Sequence, residues 1–122
     1  MSAHLVIAED EPMIGRILEH KLVREGHRVS WVRDSASLLA ALQGGDVDLA
    51  LVDATLDCDG LTLMSSLAGT AGRCAWVALV EQRDAVARRR AVECGAAAVV
   101  LKPFKPTAVA ALVLDVLREA PV

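Results

Sequence analysis

The chain has 122 residues, of which 54% are hydrophobic and 2% aromatic, and a formal net charge of −3. That length reads as one domain, residues 1–122, able to bury a core without disulfides or a structural metal. The acidic balance argues against a general nucleic-acid binder, and no apolar run approaches the roughly 20 residues that span a bilayer.

With so few aromatics the core must be Leu, Val and Ala, which suits parallel strands covered by helices on both faces. Leu5-Val6-Ile7-Ala8 predicts a first strand at 4–8, ending in the acidic turn Glu9-Asp10-Glu11. The chain turns acidic after only a few apolar residues, so its start is not a signal peptide. Three cysteines (Cys58, Cys74, Cys94) without metal spacing fit a reducing compartment, and the expectation is a cytoplasmic domain. Pro12 opens a helix over 12–25, with Ile14, Ile17, Leu18 and Leu22 at helical spacing and Gly26 as its left-handed stop. A second strand spans 28–32, and Asp34 or Ser35 caps a helix that buries Leu38, Leu39 and Leu42 before Gly44-Gly45.

Residues 48–53 form the third strand, a buried apolar run that ends in the carboxylate of Asp53. Leu61, Met64 and Leu67 predict a short third helix, and 69–72 a loop. Strand four runs 74–80, and a fourth helix over 83–94 places Ala87, Ala91 and Cys94 on one side. That stripe is thin, so this helix should be loosely held. Strand five spans 97–101 and leads to Lys102-Pro103. The last helix, 107–119, carries Val109, Leu112, Val113, Val116 and Leu117 at core spacing. Strands alternating with helices define a doubly wound α/β domain, a flavodoxin-like (βα)5 three-layer sandwich. No internal repeat, linker or output domain is expected within these residues.

Three strands therefore end in charge at one sheet edge, where ligands of open α/β sheets bind. Glu9, Asp10 and Asp53 would repel one another there, and a hard dication such as Mg²⁺, which takes oxygen ligands, relieves that repulsion. Asp53 could then act as a nucleophile toward a phosphoryl group whose charge Lys102 helps to neutralise. No one of these features is specific alone; their coincidence at one edge is.

Leu5-Val6-Ile7-Ala8-Glu9-Asp10-Glu11-Pro12, Leu51-Val52-Asp53 with Asp59-Gly60-Leu61 behind it, and Gly95 leading to Lys102-Pro103-Phe104 resemble the receiver domain of bacterial two-component response regulators. The resemblance covers essentially the whole chain. It implies a parallel sheet in the order 2-1-3-4-5, with Asp53 accepting a phosphoryl group from a sensor histidine kinase or a histidine phosphotransfer protein. It also implies Mg²⁺ bound by Asp10, Asp53 and the backbone carbonyl of Thr55, with Glu9 acting through water. Lys102 would bind the phosphoryl oxygens, and Lys102–Pro103 would be a cis peptide. Such a domain is not an enzyme toward an outside substrate; it catalyses only its own phosphoryl transfer and dephosphorylation. Dimers of such domains often use the face formed by helix four, strand five and helix five.

Three positions depart from the family pattern. Val80 stands where most relatives have Ser or Thr, Glu81 where a small residue is usual, and Val99 where strand five is usually aromatic. The loop after Asp53 is one residue short and lacks its usual proline. The expectation is an atypical receiver, phosphorylatable but without the usual switch. The alternative is a pseudo-receiver that binds partners without phosphorylation. An aspartyl phosphohydrolase is disfavoured because Thr55, not a carboxylate, lies two residues after Asp53. A calcium loop fails, since Thr55 and Ser66 fall where acidic ligands are needed. Arg88, Arg89 and Arg90 read as a solvated face, and His4, His20 and His27 as surface or edge residues.

Overall fold

Apolar strands and amphipathic helices alternate along the chain as the spacing predicts. In the computed structural model residues 2–56, 63, 65–68 and 74–119 are described. The elements are β1 (His4–Ala8), α1 (Pro12–Arg24), β2 (Arg28–Val32), α2 (Ser35–Gln43), β3 (Leu49–Asp53), helical residues 63 and 65–68 (α3), β4 (Ala75–Glu81), α4 (Ala85–Glu93), β5 (Ala98–Lys102) and α5 (Pro106–Glu119). The strands form one sheet in the order β2-β1-β3-β4-β5, with every pairing parallel.

Side chains alternate across the sheet with the period of two that a strand imposes. Val6, Ala8, Ala50, Val52, Ala78 and Val80 face Leu38 of α2, Leu63 and Leu67 of α3 and Ala91 of α4. Leu5, Ile7, Leu49, Leu51, Val77 and Leu79 face Leu18 and Leu22 of α1 and Val109 and Val113 of α5. The result is three layers, with β3 buried along its whole length.

Local chemistry sets the boundaries. Glu11 caps α1 by accepting from the Ile14 amide at 2.8 Å, with Pro12 in the first helical position. Asp34, rather than Ser35, caps α2, accepting from the Ser37 amide at 2.7 Å. Asp84 accepts from the Ala87 amide at 2.9 Å, so α4 starts at Ala85 and not at 83. Strands β4 and β5 each run on to their charged residue because Glu81 and Lys102 are paired across the ladder. Gly26 and Gly95 take the left-handed conformation after α1 and α4, with φ of 94° and 92°. On α4 only Ala91 is fully buried while Val86 and Val92 are exposed, as the thin stripe predicts.

Two expectations are corrected. His27 is not a surface residue: it is 5% exposed, its Nδ1 accepting from the Ala3 amide at 3.3 Å. Leu39 is only half-buried, and Leu38 alone is fully buried on α2. Leu61 and Met64 of the expected third helix, the 69–72 loop, and Asp57, Cys58, Asp59 and Gly60 lie outside the described residues.

Candidate functional site

The register of the sheet brings the charged strand ends together. Ala8 pairs with Val52, so Glu9 and Asp53 each follow at the same edge. Asp53 pairs with Leu79, and Leu79 with Val100, which leaves Lys102 two residues farther along on β5. The long lysine stem reaches back over the end of β4. Its ammonium lies 2.9 Å from Asp53 Oδ2, to which it donates, and forms an ion pair at 2.9 Å with Glu9 Oε1. The peptide between Lys102 and Pro103 is cis, as the resemblance implies.

Burial makes these charges interdependent. Glu9 is fully buried, Asp53 is 3% exposed and Lys102 is 8% exposed, whereas Asp10 is exposed. Burial, reinforced by the neighbouring Asp53, pushes the Glu9 carboxyl up to about 8. Burial alone would raise Asp53 too, but hydrogen bonds from Glu9, the Thr55 amide and Lys102 hold it below the usual carboxylate range. The two carboxyl groups outweigh burial at Lys102 and raise its pKa. Within the buried trio the charged form is therefore favoured at Asp53 and Lys102 and disfavoured at Glu9.

Thr55 has a part that its position alone did not reveal. Both its amide, at 2.8 Å, and its hydroxyl, at 2.9 Å, donate to Asp53 Oδ1. Asp53 thus has one oxygen on Thr55 and the other on Lys102, which fixes the plane of the carboxylate. Across the sheet, Trp31 Nε1 donates to the backbone carbonyl of Glu9 at 2.9 Å. A tryptophan in an edge strand gives no sign of this in the sequence.

The donor set fits a hard divalent cation. Glu9, Asp10 and Asp53 each offer a carboxylate oxygen, and these atoms lie within 4.8 Å of one another. The set contains only oxygen, and Asp10 is its solvent-facing member, as a metal that keeps part of its water shell requires. Among the departures, Val80 is 1% exposed within the core on the α2–α4 side, Glu81 is exposed at the strand end, and Val99 is half-buried against the same core. Arg88, Arg89 and Arg90 are exposed, with Arg90 3.9 Å from Glu93.

A five-stranded parallel sheet in this order, with an acidic cluster and a lysine converging at one edge, defines a receiver-type α/β domain. The sequence model of the family described as response regulator receiver domain matches residues 5–114, and the chain belongs to that family. It is 37% identical over 109 residues to the TorCAD operon transcriptional regulatory protein TorR of Escherichia coli K12, covering 86% of this chain and 46% of that protein. It is 30% identical over 117 residues to the transcriptional regulatory protein PcoR of Escherichia coli, covering 95% of this chain and 52% of that one. The chain thus spans about half the length of these relatives. The solved receiver domain of TorR superposes with a TM-score of 0.89 at 30% identity, covering 98% of this chain and 99% of that one. A CheY-like receiver domain protein from Methanospirillum hungatei JF-1 shares the fold, with a TM-score of 0.89 at 21% identity, covering 98% and 96% of the two chains.

Proposed function

We propose that this receiver domain is a phosphoacceptor in a two-component relay and that Asp53 is the residue phosphorylated. The observation that carries the reading is the buried trio: a rigidly held, ionised Asp53 beside a lysine ammonium at 2.9 Å. A carboxylate oxygen of Asp53 attacks the phosphorus of a phosphohistidine, the P–N bond breaks, and the imidazole leaves with the bonding pair. Lys102 faces the phosphoryl oxygens as a compact charge, and Thr55 keeps the nucleophile aimed. Asp10, Asp53, the Thr55 carbonyl and Glu9 would hold Mg²⁺. The cation supplies charge neutralisation on the transferring group. The donor is a histidine kinase or histidine phosphotransfer protein, and the chain acts on no outside substrate. No described helix is long and apolar enough to cross a membrane, and the odd cysteine count supports a cytoplasmic location.

The test is intact-protein mass after incubation with acetyl phosphate, with and without Mg²⁺. One added phosphoryl group is expected only with Mg²⁺, and none in Asp53→Asn. A second reading, a pseudo-receiver, is favoured by Val80 and Glu81, which offer a phosphoryl group no hydroxyl and an adjacent negative charge. Absence of any mass gain, together with no response to beryllofluoride, would leave that reading standing instead.

A further inference from the structure

Gly15 is the fourth residue of α1 and has no positive φ, so no backbone conformation calls for glycine there. Glycine at such a position weakens a helix relative to alanine. What calls for it is space: a Cβ at Gly15 would sit 2.2 Å from Trp31 Cε2 and Cζ2 and 2.5 Å from Nε1. The indole of Trp31 therefore occupies the place of the missing side chain, directly against the helix that follows the acidic turn. From there its Nε1–H donates to the Glu9 carbonyl at 2.9 Å, while the Glu9 amide donates to the Val32 carbonyl at 3.1 Å. Both backbone polar groups of Glu9 are thus held from β2. The guanidinium of Arg33 lies over the indole, 4.4 Å from its ring centroid.

The Glu9 carbonyl and the Asp10 amide belong to one rigid peptide plane. Fixing that carbonyl fixes the direction in which the chain enters Asp10, the exposed carboxylate of the acidic cluster. We propose that Trp31 is a positioning residue: seated in the Gly15 notch, it orients the Glu9–Asp10 peptide and thereby pre-organises the carboxylate cluster for a divalent cation. This deepens the phosphoacceptor reading and rests on the acidic edge being a cation site. Phenylalanine in place of Trp31 keeps a ring in the notch and removes the N–H, and Gly15→Ala keeps the N–H and displaces the ring. Both should loosen the same peptide.

The experiment is calorimetric titration of Mg²⁺ into the parent, Trp31→Phe and Gly15→Ala, paired with the Mg²⁺ dependence of acetyl phosphate labelling. Both variants should bind Mg²⁺ roughly 3- to 10-fold more weakly, as loss of one pre-organising hydrogen bond implies. The Mg²⁺ concentration for half-maximal labelling should rise by the same factor while the plateau rate moves far less. A role confined to core filling would lower stability and leave the Mg²⁺ affinity at the parent value, which overturns the proposal. A parent-protein readout needs no destabilising change: the ¹⁵N–¹H indole resonance of Trp31, assigned with Trp76→Phe, should shift on adding Mg²⁺. An unmoved Trp31 indole in a parent that binds Mg²⁺ overturns the positioning role alone. A parent that binds no Mg²⁺ removes the cation site and the role of Trp31 with it.

Discussion

Lys102 brings one positive charge to two buried carboxyl groups, and the balance among the three decides how each titrates. Replacing it with Met leaves Asp53 and Glu9 without their cation. Glu9, its pKa already pushed up to about 8, adds little to that cost at neutral pH, so the uncompensated charge is chiefly that of Asp53. Urea unfolding at neutral pH should therefore show Lys102→Met less stable by about 2 kcal/mol. A gain in stability would mean that desolvation outweighs the ion pairs. His27 poses the reverse problem. Its Nδ1 accepts from the Ala3 amide, so the neutral ring carries its proton on Nε2, and a second proton on Nδ1 would face a donor. Burial lowers its pKa below 6.5, while Glu25 opposes the shift. Below about pH 6.5 the unfolded chain then binds more protons than the folded one, so His27 costs stability as pH falls through that range. His27→Asn keeps an acceptor for the Ala3 amide and removes the titration. The parent should lose more thermal stability than this variant between about pH 7 and pH 5.5.

At the scale of elements, α1 and α4 illustrate strong and weak attachment. Helix α1 buries Leu18 and Leu22 completely and accepts Trp31 against Gly15, whereas α4 contributes Ala91 as its one fully buried residue. Few buried apolar groups mean a low free energy of local opening. Amide hydrogen exchange should accordingly be faster in α4 than in α1, and comparable protection of the two helices would show that α4 has support beyond Ala91. The glycine after α1 gives a cleaner test of backbone conformation. Gly26 has φ of 94° with open space where a Cβ would go, so Gly26→Ala meets conformational strain and no clash. It should destabilise the domain by about 1–2 kcal/mol in urea unfolding.

For the molecule as a whole, the proposed phosphorylation of Asp53 raises the question of how a change at one sheet edge would be sensed elsewhere. Val80 is sealed into the core on the α2–α4 side and has no hydroxyl to turn toward the site. Val99 lies in that core as well, without a polar group to change partners. Any response is therefore expected near the site itself. Beryllofluoride should move the amide resonances of Asp10, Thr55 and Lys102 and leave those of Val92, Val99 and Leu101 nearly unchanged. Large shifts in α4 and β5 would demonstrate a transmission route that does not use a hydroxyl at position 80.

Much of this architecture is written locally. Apolar runs ending in charge marked β1, β3 and β5, and helical spacing with Pro12, Gly26 and Gly95 bounded the helices, because short-range backbone and side-chain preferences act within a few residues. The convergence of Glu9, Asp10, Asp53 and Lys102 was legible for the same reason, since strand ends in a parallel sheet share an edge. Tertiary structure decided the rest. Only the register of β3, β4 and β5 sets Lys102 within reach of two carboxylates, and only the hydrogen bonds gathered on Asp53 hold its pKa down while burial raises that of Glu9. The burial of His27 and the seat of Trp31 against Gly15 depend on partners distant in the sequence. No local pattern encodes such contacts, because their energies arise only when separate elements meet.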